Sequence, residues 1–275
     1  MLPWFGVQNG GRAIGPIRLR APAPEANEEK GAIMGLLEVL PDRASLMRAA
    51  AEHVVGVAAR AMTRHGRCAL ALSGGSTPAD LYALLATGAF AARIEWSRLE
   101  VFWGDERCVP PNHEQSNYRM ARDALLAKVP VPETNVHRIR GEDDPKVAAV
   151  AYEELLRRAL GPSGFDLVLL GMGDNGHTAS IFPGMPAVTE VSRWVVAQYV
   201  EVVGMWRVTL TPAVINAADH VTFLVAGADK AERLREVLEG PEQIEVLPSQ
   251  AIRPTHGALM WLVDVAAAGK LRQRR

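Results

Sequence analysis

The sequence predicts an α/β fold: a three-layer sandwich, Rossmann-like, in which helices cover both faces of a mostly parallel central sheet. Two observations predict it. Short apolar runs such as 68–72 and 167–170 are unbroken, which is typical of strands that are covered on both faces. These runs alternate along the chain with stretches of helical periodicity, and such alternation favours a parallel sheet.

The predicted elements follow one another from residue 36. The first strand is the largely apolar run 36–40, and the amphipathic stretch 42–64 after it predicts the longest helix. A chain of 275 residues is long enough for one large domain, and we expect no internal repeat and no second domain. Further strands are predicted at 67–72, 99–103, near Val136, and at 167–170, 193–202, 206–210, 221–225 and 258–263; further helices are predicted at 79–85, 117–128, 145–160 and 230–238.

Residues 1–33 differ from the rest of the chain. They are rich in Gly, Pro and Arg near the start and in Glu near the end, without apolar periodicity. We therefore expect a disordered N-terminal extension before a single domain at 34–275, with Met34 as a second candidate start. The first seven residues are too short and too poorly flanked for a signal peptide.

Composition excludes several classes of protein. Thirty Lys and Arg against 31 Asp and Glu give a net charge of −1, so no basic excess indicates nucleic-acid binding. No apolar run reaches the roughly 18 residues that a membrane span needs. The two cysteines form no disulfide framework, which indicates a reducing cytoplasm, and the His and Cys spacing predicts no metal site. Nothing in the sequence specifies an oligomeric state.

The segment 165–184 is the most informative part of the chain. Its apolar strand leads into three glycines, Gly171, Gly173 and Gly176, and then into His177. Ligands of open α/β sheets bind at the carboxyl ends of the strands, and an imidazole there can take a proton from water. His177 is therefore the first candidate for a catalytic base; a histidine that only caps or packs a helix start is the structural alternative.

The same glycines also match the dinucleotide-binding pattern G-x-G-x-x-G. That pattern has to open a long helix, with an acidic residue about 20 positions further on. Pro183 and Gly184 stop any helix within about two turns, which is too short for a βαβ crossover. A dinucleotide site is therefore disfavoured.

A second loop follows the predicted strand 67–72. It consists of Ser73, Gly74, Gly75, Ser76 and Thr77. We expect Thr77 to be the N-cap of the next helix and Pro78 its first residue, so that free N–H groups and the positive helix end point at one place. An anion such as a phosphate fits there, whereas an ordinary Gly-Ser turn is the alternative.

Charged residues follow two further strands. Asp105, Glu106 and Arg107 come directly after 99–103, and Lys230 follows 221–225 at the start of a helix. Solvated surface charge is the usual explanation for such residues. Their position after strands places them at the same edge as His177.

Six ordered stretches resemble one family. They are 70–78, 103–110, 116–118, 170–184, 207–212 and 227–230, and they lie within residues 36–268. Through them the chain resembles the 6-phosphogluconolactonases of the glucosamine-6-phosphate isomerase/6-phosphogluconolactonase superfamily. The resemblance implies hydrolysis of the ring ester of 6-phospho-D-glucono-1,5-lactone, a sugar-phosphate substrate, without a metal or an organic cofactor.

The resemblance also implies roles for individual residues. His177 is similar to the base that activates water, Arg107 and Lys230 to substrate or phosphate clamps, and the loop 73–77 to a further anion cradle. Asp105 resembles the family's acidic residue near the reacting centre, and Arg207 a further basic contact. A base that titrates near neutral pH and cationic clamps suit hydrolysis of a phosphorylated ester.

The chain departs from the family pattern at one position. The family usually has Asp two residues before the histidine, whereas this chain has Asn175 there and Asp174 one position earlier. An amide can orient the imidazole but cannot stabilise imidazolium by charge. Either Asp174 substitutes for the missing carboxylate, or the histidine is less basic.

Two other functions stay open on sequence alone. A glucosamine-6-phosphate deaminase is disfavoured, because proteins resembling that enzyme continue the histidine motif with Ile-Ala-Phe-Asn-Glu, and this chain has no glutamate there. A non-catalytic sugar-phosphate sensor is the third class. Such sensors normally carry a DNA-binding segment, and residues 1–33 contain no helix-turn-helix pattern.

Overall fold

The computed structural model describes residues 18–19 and 35–272. These residues form ten strands and seven α-helices. The strands are β1 (Arg18–Leu19), β2 (Leu36–Leu40), β3 (Cys68–Leu72), β4 (Leu99–Trp103), β5 (Asp105–Arg107), β6 (Leu167–Leu170), β7 (Val195–Val200), β8 (Met205–Leu210), β9 (His220–Val225) and β10 (Ala258–Asp264). The helices are α1 (Arg43–His65), α2 (Ser76–Leu85), α3 (Gly88–Ala91), α4 (Asn117–Ala124), α5 (Pro145–Leu160), α6 (Pro212–Ile215) and α7 (Ala231–Glu239).

The larger sheet has the strand order β1-β2-β10-β9-β6-β3-β4. Its six strands from β2 to β4 are parallel, and only β1 pairs antiparallel. Every residue of β3 and β6 is buried, as expected for strands with both faces covered. α1 packs against α2 and contacts β2, β3 and β10. The predicted three-layer α/β class with a mostly parallel sheet is therefore confirmed.

A second, antiparallel sheet has the order β5-β8-β7. Gly104 links the two sheets, because its N–H donates to the Leu72 carbonyl (2.8 Å) and its carbonyl accepts from the Leu210 N–H (2.8 Å). The sequence predicts β7 and β8 but not β5. Three charged residues carry no alternation of apolar and polar side chains, and their strand forms only by pairing with the distant β8.

The predicted start of α2 is wrong. Gly75, not Thr77, is the N-cap, no side chain caps the helix, and Ser76 rather than Pro78 is the first helical residue. The helix starts early because the Gly75 carbonyl already accepts from the Ala79 N–H at 3.1 Å.

Other predicted elements also differ from the structure. Val136 forms only an isolated bridge with Val101 after a 3-10 turn, so no strand forms there. The helix predicted at 117–128 ends at Ala124, and a separate 3-10 turn follows at Leu126–Lys128. Lys230 does not begin a helix but ends a 3-10 turn before α7.

The expected disordered extension at 1–33 falls mostly outside the described residues. Within it, the backbone of Arg18 and Leu19 pairs with Glu38 and Leu37 of β2. For the rest, disorder and the domain boundary at 34 stay predictions. Among the described residues, no helix has both the length and the apolar character needed to cross a membrane.

Candidate active site

The carboxyl ends of β3, β4, β6 and β9 lie at one edge of the larger sheet. These four strands are neighbours and all run parallel, so the loops that follow them meet at this edge. The segments that follow the four strands carry the residues 73–77, Asp105 and Arg107, His177, and Lys230 respectively. The fold therefore places these sequence-predicted candidates on adjacent segments, whereas Arg207 comes from β8.

His177 is oriented by Asn175. The Asn175 Oδ1 atom accepts from the backbone N–H of His177 at 3.1 Å and lies 2.6 Å from its Nδ1 atom. A carbonyl oxygen can only accept, so Nδ1 carries the proton and Nε2 of the neutral ring keeps its lone pair. Asn175, and not Asp174, is thus the residue that orients the imidazole.

The His177 ring is half-buried against an aromatic side chain. It stacks on Phe182 with ring centroids 4.1 Å apart. Gly173 lies so close that a Cβ atom there would be 2.0 Å from Cε1 of the ring, which explains the glycine. Burial lowers the pKa of His177 to about 4, whereas the charge of Asp105 acts to raise it. The imidazole is therefore neutral at neutral pH and available as a base.

Asp105 is buried, and its carboxylate is held on both sides. Asn117 Nδ2 donates to Oδ1 at 3.1 Å and to the Asp105 backbone carbonyl at 2.9 Å. Ser180 Oγ donates to Oδ2 at 2.6 Å. The carboxylate is fixed within electrostatic reach of His177, since it raises the pKa of that histidine.

Arg107 and Arg207 form a cationic pair across β5 and β8. They lie directly opposite each other in the antiparallel register. Arg107 Nη1 donates to the Gln115 carbonyl at 2.6 Å, but neither buried Nε atom donates to an acceptor among the described residues. Burial, followed by repulsion from Arg107, lowers the pKa of Arg207. An anion bound between the two guanidinium groups would compensate the charge of the buried Arg207 and the repulsion between the two arginines.

Lys230 is paired with Asp174. Its Nζ atom donates to Asp174 Oδ1 and lies 3.6 Å from Asp229 Oδ2. The hydrogen bond to Lys230 lowers the pKa of Asp174, whose side chain is 82% exposed, against 21% for Lys230. Asp174 therefore pairs with the lysine and makes no hydrogen bond to the imidazole, although its charge also acts to raise the pKa of His177.

The loop 73–77 offers backbone donors. The N–H groups of Gly74, Gly75, Ser76 and Thr77 donate to no acceptor among the described residues, whereas that of Ser73 donates to the Tyr82 hydroxyl at 2.8 Å. A Cβ on Gly74 would lie 2.1 Å from Asn117 Oδ1, so the loop packs directly on the residue that holds Asp105. In the predicted anion cradle, the backbone N–H groups of residues 74–77 are therefore available to an anion, whereas that of Ser73 is not.

The sequence assigns no role to four side chains of the site: Glu106, Asn117, Ser180 and Phe182. Buried Glu106 accepts from Ser116 Oγ and from the N–H groups of Asn117, Tyr118 and Arg107, and so holds the start of α4. Burial raises its pKa. All four lie within the sequence stretches that carry the family resemblance, but their roles depend on contacts between distant segments.

The described residues contain no group of three or more His, Cys, Asp or Glu side chains that could hold a metal ion. Both cysteines, Cys68 and Cys108, are free.

Comparison with known proteins identifies the family of the chain. The family described as glucosamine-6-phosphate isomerases/6-phosphogluconolactonase matches residues 41–261. A 6-phosphogluconolactonase of Nostoc sp. is 40% identical over 241 residues, which cover 86% of this chain and 98% of the relative.

Solved structures share the fold. The 6-phosphogluconolactonase from Trypanosoma cruzi superposes with a TM-score of 0.78 at 33% identity, covering 88% of this chain and 98% of that one. A monomeric glucosamine-6-phosphate deaminase superposes with a TM-score of 0.74 at 21% identity, covering 86% of this chain and 100% of that one, and it shows the shared fold only. The chain belongs to the glucosamine-6-phosphate isomerase/6-phosphogluconolactonase family.

Proposed function

We propose that this protein is a 6-phosphogluconolactonase, a carboxylic ester hydrolase of the oxidative pentose phosphate pathway. It would hydrolyse 6-phospho-D-glucono-1,5-lactone to 6-phospho-D-gluconate. The observation that carries the proposal is an oriented His177 that burial keeps neutral, within electrostatic reach of the fixed Asp105 carboxylate and of the Arg207 and Lys230 cations. The relatives named 6-phosphogluconolactonase support the same substrate.

In the proposed reaction His177 is the general base. Its Nε2 atom takes a proton from water while the water oxygen attacks the lactone carbonyl carbon. The tetrahedral intermediate then breaks the bond between that carbon and the ring oxygen. The imidazolium returns its proton to the departing ring oxygen, so the histidine is regenerated and the product is the open-chain acid.

Asp105 supplies the charge that Asn175 lacks. Asn175 fixes the ring through Nδ1, but an amide is neutral, whereas Asp105 raises the pKa of His177. A carboxylate near the ring stabilises the imidazolium that forms during attack. In this proposal the two tasks of the family's Asp are divided between Asn175, which orients, and Asp105, which carries the charge.

The phosphate and the sugar are held by cations and by backbone donors. Arg107 and Arg207 present two guanidinium groups on one face of the small sheet, each with an Nε donor that lacks an acceptor among the described residues. Lys230 and the free N–H groups of residues 74–77 add donors at the neighbouring strand ends. Such charge-assisted contacts are worth roughly 1.5–3 kcal/mol each.

The proposed chemistry needs only water as a co-reactant. Independence from cofactors stays a prediction, as do a cytoplasmic location and the absence of nucleic-acid partners.

A test of substrate identity decides between the proposed function and its alternatives. Acid release from fresh 6-phosphogluconolactone is followed at constant pH, against gluconolactone without the phosphate, with spontaneous hydrolysis subtracted. We expect kcat/KM to be at least about 100-fold higher for the phosphorylated lactone, because two or more charge-assisted contacts are lost without the phosphate. Equal rates for both lactones, or ammonia release from glucosamine 6-phosphate, would contradict the proposal.

A further inference from the structure

Ser180 lies three residues after His177, is buried, and uses every polar group it has. Its hydroxyl donates to Asp105 Oδ2 at 2.6 Å. Its backbone N–H donates to Thr209 Oγ1 at 3.1 Å, and its carbonyl accepts from Gln198 Nε2 at 2.7 Å. The segment that carries the histidine is thus attached to three different side chains at one residue.

The three partners of Ser180 lie on one face of the antiparallel sheet. Asp105 pairs with Thr209, and Gln198 pairs with Arg207. Arg207 and Thr209 lie two residues apart on β8, so their side chains point to the same face of the sheet. Ser180 therefore docks the histidine segment onto the same sheet face that carries Asp105 and Arg207.

The backbone next to Ser180 is strained. Ala179 has φ of +47°, in the left-handed region that favours glycine. A non-glycine residue stays in that region only where surrounding contacts hold it there. The contacts of Ser180 and the Thr178–Ile181 bridge are among the contacts that hold this turn.

We propose that Ser180 is a positioning residue, which keeps the Asp105 carboxylate aligned with the imidazole of His177 through its hydroxyl group. The inference rests on the proposed function, in which these two residues act together. Asn117 holds only Oδ1, so without the Ser180 hydroxyl Oδ2 loses its donor and the carboxylate can rotate. The histidine then works without a fixed charge beside it.

The test compares Ser180→Ala with Thr178→Val. Both variants lose one buried hydroxyl from the same segment, but Thr178 Oγ1 donates to the Gly171 carbonyl at 2.9 Å and does not touch Asp105. We expect Ser180→Ala to lower kcat about 10- to 100-fold, with KM changed less than about threefold, because misalignment of a catalytic group acts on the chemical step. Thr178→Val should change kcat by less than about threefold. Melting temperatures and circular dichroism verify that both variants fold.

A double-mutant cycle with Asp105→Ala tests whether Ser180 acts through the carboxylate. If it does, Ser180→Ala should change kcat little when Asp105 is already absent. The inference is overturned if Ser180→Ala keeps the kcat of the natural chain, if Thr178→Val loses as much, or if the effect persists in the Asp105→Ala background. Those results leave the proposed function standing whenever His177→Asn is inactive and Asp105→Ala is impaired but still measurable, whereas an active His177→Asn variant would remove the proposed function itself.

Discussion

At the scale of single residues, the neutral Asn175 contacts the imidazole of His177, and the charged Asp174 beside it contacts a lysine. Asn175 binds Nδ1 of His177 at 2.6 Å, and Asp174 is occupied by Lys230. The sequence left open whether Asp174 or Asn175 serves the histidine, because adjacent positions on a turn point in different directions that only the folded backbone defines. The structure assigns the contact with Nδ1 to Asn175.

Replacement of Asn175 by Asp should raise the pKa of His177. A carboxylate at the position of the amide favours the imidazolium form, so the acid limb of the profile of kcat/KM against pH should move to higher pH. Asp174→Asn is the matched comparison, since it removes a charge one position away that pairs with Lys230 and also acts to raise the pKa of His177, so its acid limb should move to lower pH. An acid limb that stays in place in Asn175→Asp, or moves to lower pH, would contradict the assignment.

The natural chain should show an acid limb well below the usual range of histidine. His177 acts as a base only when unprotonated, and burial lowers its pKa to about 4. The rate should therefore be flat through neutral pH and fall only on approach to pH 4. Asp105→Asn should move the limb lower still, because the carboxylate raises the pKa. A limb near pH 6.5 in the natural chain would show that the ring is open to water.

At the scale of elements, strand ends were predictable and sheet pairing was not. Short, largely apolar runs marked β3, β4, β6 and β9, so the loops that meet at one edge followed from the alternation of strands and helices. The three-residue β5 has no such pattern. Its pairing with β8, which puts Arg107 opposite Arg207, depends on residues about one hundred positions apart.

That pairing predicts a shared anion site. Arg107→Ala and Arg207→Ala should each raise KM for the phosphorylated lactone about 10- to 100-fold, since each loses a charge-assisted contact, and they should leave the lactone without phosphate nearly unaffected. Arg253→Ala, which removes a surface pair with Glu242, is the control. Equal losses on both lactones would show that the arginines support the fold and not the phosphate.

At the scale of the whole molecule, the stability of the fold should depend on histidines kept neutral by burial. Burial lowers the pKa of both His53 and His177 to about 4. Above about pH 6.5 both histidines are neutral in the folded chain and in the unfolded chain. Below that value the unfolded chain binds protons that the folded chain does not. The free energy of unfolding should therefore fall between pH 6.5 and 4, by up to about 1.4 kcal/mol per pH unit for each histidine.

Urea unfolding at several pH values measures this dependence. His53→Gln should reduce the slope, although the loss of the contact with Thr222 at 3.1 Å also lowers stability at neutral pH. His256→Gln, at an exposed histidine, is the control. The prediction fails if His53→Gln and the natural chain lose stability equally between pH 6.5 and 4.

The central claim is that His177 activates water. The most direct measurement is kcat of His177→Asn on fresh 6-phosphogluconolactone, with spontaneous hydrolysis subtracted and folding verified by the melting temperature. The account predicts a fall of roughly a hundred- to ten-thousand-fold in kcat, the range that general-base catalysis supplies, with affinity for 6-phosphogluconate within a few fold because the cationic contacts are intact. Full activity in a folded His177→Asn variant would contradict it.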